Sequence, residues 1–296
     1  MKKKIFITGG TGFVGGHLLK QAGMSWEVSA SYRKKRFAFP NVKWIQLDLT
    51  DFSKSAALIQ SLRPDVIIHA AATANLDQAE ELKDAAFLNN VRVTEHLAGL
   101  CEKEHIRFIF ISTDMVFDGL RARYQETDVP APVNYYGQTK SQAEAVVKSI
   151  CSNYVIVRSA LVYGNSLTES PSFSEWMLAH WRQRKPVRLF TDQYRTPILV
   201  NNLSQALLEL ASNSFQGVIH LGGPQRINRF NFGLVFAKLY GIPSHLIIPT
   251  SMKNLNFKAL RPVDTSFNTS LAKNVLVTEL MDCYRGVQYL KRDSAF

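Results

Sequence analysis

Ile5-Phe6-Ile7-Thr8-Gly9-Gly10-Thr11-Gly12-Phe13-Val14-Gly15 is the stretch on which the fold turns. An apolar run, Ile5 to Thr8, leads into glycines at 9, 12 and 15, the G-x-x-G-x-x-G spacing. Gly9 permits a tight turn out of a strand, Gly12 lets backbone approach a pyrophosphate, and Gly15 lets the next helix pack close to the sheet. Phosphates then sit at a helix N-terminus, where free N–H groups and the dipole favour anions. A glycine triplet alone is weak evidence. Set between a strand and a helix, it predicts a dinucleotide cradle. The alternative is a turn that merely needs glycine.

Outward from this unit, short β-branched runs alternate with helical stretches. The strand candidates are 4–8, 27–32, 42–47, 66–70, 107–112 and 155–158, with helices at 15–21, 53–61, 79–104 and 140–149. Apolar strands alternating with helices mean βαβ units and a parallel sheet covered on both faces. The expected fold is α/β, a doubly wound parallel Rossmann sheet. Past residue 160 the pattern loosens into helices at 173–183, 201–211 and 230–240 and a short strand at 218–220. That predicts a smaller C-terminal lobe closing over the sheet's carboxyl edge. The sheet domain would take 1–160 and about 196–222, and the lobe about 161–195 and 223–296.

The chain has 296 residues, 46% hydrophobic, enough for one elaborate domain or two associated ones. No apolar run reaches the roughly 20 residues that span a bilayer. Met1-Lys2-Lys3-Lys4-Ile5 opens like a signal peptide, but the apolar run that follows breaks at Gly9 and reads as the first strand. Cys101, Cys151 and Cys283 are far apart and lack metal spacing, which fits a reducing, cytoplasmic setting without disulfides. The formal net charge of +11 lies in short clusters such as Arg33-Lys34-Lys35-Arg36. With no basic tail or nucleic-acid motif, it reads as solvated surface or a site for an anionic ligand.

The end of the second strand bears on cofactor choice. An NAD site places an acid there to bind the ribose 2′-hydroxyl. Here no carboxylate stands between Glu27 and Asp48, and Arg33 or Lys34 could instead pair with a 2′-phosphate, so NADP(H) is the expected cofactor. A solvated basic loop is the alternative. Asp48, after the third strand, could bond the adenine amine or cap the following turn.

Tyr136-Gly137-Gln138-Thr139-Lys140 carries the candidate chemistry. Tyr136 and Lys140 are four apart; with a helix beginning at Lys140, they face the same way. A nearby ammonium favours the phenolate and is expected to lower the tyrosine pKa. Thr113 closes a predicted strand at the edge where ligands bind in open sheets. Y-x-x-x-K is common by chance; its position after Ser112-Thr113 and the cradle gives it weight.

With these residues the chain resembles an extended short-chain dehydrogenase/reductase and, more narrowly, is similar to the dTDP-4-dehydrorhamnose reductase family. Besides the cradle, the resemblance rests on Ala70-Ala71-Ala72, on Asn90, and on Ser112-Thr113-Asp114-Met115-Val116-Phe117-Asp118-Gly119. Asp192-Gln193 with Pro197, and Arg261-Pro262-Val263-Asp264-Thr265, continue it late in the chain. It implies catalysis by Thr113, Tyr136 and Lys140. It implies a cofactor site of Gly9, Thr11, Gly12, Phe13, Val14, Gly15, Arg33, Lys34, Asp48 and Leu49. Ala70, Ala71, Ala72, Asn90, Tyr136 and Lys140 would complete that site. The substrate would be an anionic nucleotide sugar, a 4-keto-6-deoxy sugar reduced at C4, met by Asp114, Met115, Leu161 and Arg261 in the C-terminal lobe. Arg261 could equally be structural.

Three positions depart from the family pattern. Met115 replaces a tyrosine, Leu161 a tryptophan expected to pack on the sugar, and His17 a glutamate linked to metal in some members. Neither Met115 nor Leu161 stacks on a sugar as an aromatic ring does. No metal is expected, and His17 reads as a helix-surface histidine. The same family includes a non-catalytic NADP-binding regulator of methionine adenosyltransferase, and an epimerase could use the same scaffold. No nucleic-acid or membrane partner is expected. The apolar run 87–100 leaves room for a homodimer, although a covered sheet needs it for its own core.

Overall fold

The computed structural model describes residues 2–23, 25–169 and 171–293; Met1 of the signal-like opening lies outside the described residues. The elements run β1 (Lys4–Thr8), α1 (Phe13–Ala22), β2 (Glu27–Tyr32), β3 (Val42–Gln46), α2 (Phe52–Leu62), β4 (Val66–His69), α3 (Leu76–Glu81) and α4 (Lys83–Phe87). A π-helical turn (Leu88–Arg92) leads to α5 (Val93–Lys103), β5 (Arg107–Thr113), a 3₁₀ turn (Asp114–Val116), α6 (Tyr135–Ile150) and β6 (Tyr154–Ser159). Next come β7 (Val162–Tyr163), α7 (Phe173–Arg182), β8 (Val187–Phe190), β9 (Tyr194–Arg195), β10 (Ile198–Leu199), α8 (Val200–Ser212) and β11 (Gly217–Leu221). The chain continues through β12 (Ile227–Asn228), α9 (Arg229–Tyr240), β13 (Ile247–Thr250), α10 (Ser270–Val275) and α11 (Cys283–Asp293).

Seven strands form one parallel sheet in the order β3-β2-β1-β4-β5-β6-β11. The order reverses between β1 and β4, which opens the crevice where such sheets bind ligands. Alternation along β1 explains why both faces are covered. Phe6 joins one core with Ile67, Phe108, Phe110, Leu97 and Val147. Its neighbours Ile5 and Ile7 join the other with Ile68, Ile109, Leu203 and Leu207. Each such side chain contributes roughly 1.5–3 kcal/mol when fully buried. β11 extends the sheet beside β6, as the strand expected at 218–220 implied. A separate core of Met177, Trp181, Leu189, Phe232, Phe236 and Val287 holds the late helices to β8 and β13, a parallel pair that the sequence pattern did not reveal.

Two helix expectations need correction. The stretch 79–104 is not one helix: α3 ends at Leu82 (φ −119°, ψ 60°), and the π turn interrupts the rest. The wider turn accommodates a buried Asn90. Asn90 Oδ1 accepts from Thr73 N (2.8 Å), and Nδ2 donates to Thr73 O (3.2 Å) and Thr139 Oγ1 (3.0 Å). π turns are frequent at functional sites. The second correction is that α6 begins at Tyr135, not Lys140. Asn134 caps it, its Oδ1 accepting from Gly137 N at 2.8 Å.

Candidate active site

At the exit of β1, Gly9 has φ +67°, and a Cβ there would lie 2.8 Å from the Ala71 backbone. A Cβ on Gly15 would lie 2.1 Å from Gly9 O, so strand exit and helix start meet only because both residues are glycine. Gly12 heads α1 without a side-chain cap, and the first turn carries no acid. That leaves helix N–H groups and the dipole for an anion. A cavity of about 580 Å³ opens above, lined by Gly9, Thr11, Gly12, Arg33, Asp48, Leu49, Ala70, Ala71 and Ala72, among others. Phe13, Val14 and Gly15 form the start of α1 and are not in its lining; neither is Lys34, which is exposed. Asp48 caps its turn: Oδ1 accepts from Thr50 N (3.0 Å) and Oγ1 (2.8 Å), bonds that lower the carboxyl pKa. The cap and the cavity wall are compatible roles.

Tyr136 and Lys140 lie one turn apart on α6. Tyr136 is half-buried as a residue, but its phenol lies deep, and desolvation pushes its pKa up to about 12. A hydrogen bond with Thr113 opposes this rise, and Asp114 adds to it. The expected lowering by Lys140 is therefore corrected, because burial dominates the phenol's environment. Lys140 is 2% exposed. Desolvation lowers its pKa to about 7, against the opposing pull of Glu144. Its Nζ lies over the Phe110 ring, 4.0 Å from the centroid.

A second cavity, about 710 Å³, is lined by Leu76, Met115, Phe173, Trp176, Phe190, Gln193, Arg188, Arg195, Arg229 and Arg261, among others, with no carboxylate in its lining. Met115, in its lining, donates from N to Thr113 Oγ1 at 3.2 Å, and Thr113 hydrogen-bonds Tyr136. On the other side Asn90 bonds both Thr139, next to Lys140, and Thr73 in the first cavity. Thr113, Tyr136 and Lys140 line neither cavity themselves; Met115 of one and Thr73 of the other reach them through Thr113 and through Asn90 and Thr139.

The candidate substrate residues divide. Met115 lines the second cavity. Arg261 lines it too, while its Nη2 pairs with Asp77 at 2.8 Å and its buried Nη1 has no partner among the described residues. Asp114 must be reassigned: it is 4% exposed and engaged by Arg195 (Nε 3.1 Å) and Thr265 (Oγ1 2.6 Å). Leu161 is half-buried, in the lining of neither cavity, and its carbonyl takes Ile198 N at 2.9 Å. His17 is not a surface residue. It is 2% exposed, edge-on to Phe13, with Nε2 2.7 Å from Asn165 O, because that face of α1 meets the loop after β7. Among the described residues no cluster of His, Cys, Asp and Glu could hold a metal.

The sequence reading missed Arg229 and Arg195. Arg195 sits inside the D-Q-x-x-x-P segment, which was a usable signal. Arg229 had none. It donates from Nε to Gln193 Oε1 (2.9 Å), covers the Phe173 ring at 4.5 Å and has a buried Nη1 with no hydrogen-bond partner among the described residues. Burial and the neighbouring Arg195 lower its pKa to about 9.

The family described as the RmlD substrate binding domain matches residues 2–293. The "Probable low-salt glycan biosynthesis reductase Agl14" of Haloferax volcanii is 30% identical over 263 residues, 87% of either chain. Methionine adenosyltransferase 2 subunit beta of Xenopus laevis is 30% identical over 256 residues, 83% of this chain and 75% of its own. The dTDP-4-dehydrorhamnose reductase of Bacillus anthracis, solved in complex with NADP, superposes with a TM-score of 0.88 at 25% identity, covering 99% of this chain and 100% of that one. With that family matched along nearly its whole length, and with a glycine cradle on a seven-stranded parallel sheet, the chain belongs to the RmlD family of extended short-chain dehydrogenases/reductases.

Proposed function

We propose that this protein uses NADP(H) to reduce the C4 carbonyl of a nucleotide-linked 4-keto-6-deoxy sugar. The observation that supports the reading is that a cavity beside the glycine cradle and a cavity lined by four arginines each contain a residue, Thr73 and Met115, hydrogen-bonded toward Thr113, Tyr136 and Lys140. The cradle fits a dinucleotide: its tight turn depends on glycine at 9 and 15, where a Cβ would collide with backbone, and Arg33 in the cavity lining supplies a cation for a 2′-phosphate. The arginine cavity fits a diphosphate. Among the described residues Arg229 has no carboxylate within ion-pair distance, a costly arrangement that an anion relieves.

NADPH, when bound, supplies the hydride. Tyr136 keeps its proton at neutral pH and donates it to the carbonyl oxygen as charge develops there. Thr113 orients that oxygen through its hydroxyl. Lys140 holds the nicotinamide ribose. Gly9, Thr11, Gly12 and the start of α1 take the pyrophosphate, and Arg33 the 2′-phosphate. Arg229 and Arg261 take the substrate diphosphate, while Met115 and Leu76 border the sugar.

A second reading, a non-catalytic NADP-binding regulatory subunit, draws on Met115 in the cavity wall and on the 30%-identical subunit beta. Mixing the protein with NADPH and dTDP-4-keto-6-deoxy-L-mannose separates the two. Loss of NADPH absorbance with a 6-deoxy-L-sugar product is expected. NADPH binding without oxidation of this or related keto sugars would favour the regulatory role.

A further inference from the structure

Beneath the cradle runs a polar chain that the proposed chemistry leaves unused. Thr8, the last residue of β1, accepts from Ala71 N at 3.3 Å, and its Oγ1 lies 2.7 Å from His69 Nδ1. Across the ring, Nε2 lies 3.2 Å from Thr94 Oγ1. The Thr94 hydroxyl donates its one proton to Asn90 O at 2.7 Å, so toward His69 it can only accept. Nε2 therefore carries the hydrogen. Nδ1 is bare and takes the Thr8 hydroxyl proton. Every donor points one way, from Ala71 through Thr8, His69 and Thr94 to Asn90. A protonated ring would set Nδ1–H against that hydroxyl and break the order.

The same ring packs on Phe110, with centroids 5.9 Å apart and planes at 27°. Phe110 is also the seat of the Lys140 ammonium, 4.0 Å from its centroid. Desolvation and Lys140 itself lower the His69 pKa to about 3, so the imidazole adds no second positive charge beside that seat.

We propose that His69, as the neutral Nε2–H tautomer, is a positioning residue for the Tyr136–Lys140 pair. Through Thr94 it holds the π turn that aims Asn90 at Thr73 and Thr139, and through Phe110 it backs the Lys140 ammonium with an uncharged ring. This rests on the reading of Lys140 as a cofactor contact.

The test uses the whole protein and two variants. In the wild type, nitrogen-resolved NMR of labelled histidine should show a bare Nδ1 and a protonated Nε2, unchanged across about pH 5–8. An Nδ1–H tautomer, or a ring that titrates in that range, overturns the proposal. His69→Phe keeps the aromatic stack and removes both hydrogen bonds. NADPH affinity, read by protein fluorescence, should fall about tenfold, and turnover should fall with it. His69→Gln places an acceptor and a donor in series and should recover most of that loss. Unchanged affinity and turnover in His69→Phe sinks the idea, and so does a Gln variant as impaired as the Phe variant. If the sugar reading alone is wrong, wild-type turnover is absent, while the NMR and NADPH measurements still decide this point.

Discussion

Asp114, the residue after Thr113, meets Arg195 Nε at 3.1 Å, and both side chains are at most 5% exposed. The pair ties the end of β5 to β9. Arg195 Nη1 donates to Tyr194 O and Val263 O, and Nη2 to Pro262 O, so one guanidinium gathers the loops around the arginine cavity. Removing one member of a buried pair costs about 3–5 kcal/mol, because the other charge is left uncompensated. Arg195→Met should show a loss of this size in urea unfolding. A change under about 1 kcal/mol would mean that the pair is not structural.

Tyr136→Phe removes the proposed proton donor and keeps the ring. Turnover should fall about 10²–10⁴-fold while NADPH affinity changes little. Activity at the wild-type level would remove Tyr136 from the mechanism.

Arg33→Ser should weaken NADPH binding about ten- to hundredfold, the value of one charge-assisted bond to a phosphate, and leave NADH nearly unaffected. Calorimetric titration of both cofactors reads this directly. Equal losses for the two would assign Arg33 to the solvated basic loop instead.

Arg229→Met separates binding from folding. The KM for the nucleotide sugar should rise at least about tenfold. The ligand-free protein should change little in stability, because the lost Gln193 bond is offset by removing a buried, largely desolvated charge. A clear drop in Tm with an unchanged KM would make Arg229 a structural residue.

Acid should destabilise the fold through His69 and His220. Burial lowers both to about 3, with Lys140 and Arg158 respectively adding to the effect. Between about pH 6.5 and 3 the unfolded chain binds protons that the folded chain refuses, so stability falls as pH falls. The slope from each residue is about 1.4 kcal/mol per pH unit. Unfolding curves from pH 7 to 4 check this, and His69→Gln should flatten the slope. A variant as acid-sensitive as the parent would mean that His69 is not the group responsible.

The cradle and the Tyr136–Lys140 spacing were legible because their signals are local. The glycine spacing states a backbone requirement within eleven residues, and Tyr136 and Lys140 lie one helical turn apart because α6 begins at Tyr135 rather than Lys140. The strands of the sheet showed in the same way, through short apolar β-branched runs set between helical stretches, a signal that needs no partner to be read. Local reading failed where contacts came from afar. Asp114 resembled a substrate contact until Arg195 and Thr265 were found holding it. His17 read as exposed because the loop that covers it lies 148 residues away.

From chain order alone came the α/β class, the cofactor cradle, the Tyr136–Lys140 spacing and the basic end of β2. The arginine cavity could not come from there. Arg188, Arg195, Arg229 and Arg261 lie on separate segments, and only packing brings their guanidinium groups around one space. Burial then sets the electrostatics, raising the Tyr136 pKa and lowering those of Lys140 and Arg229. Desolvation depends on everything that surrounds a group, and that is a property of the folded interior rather than of neighbours along the chain.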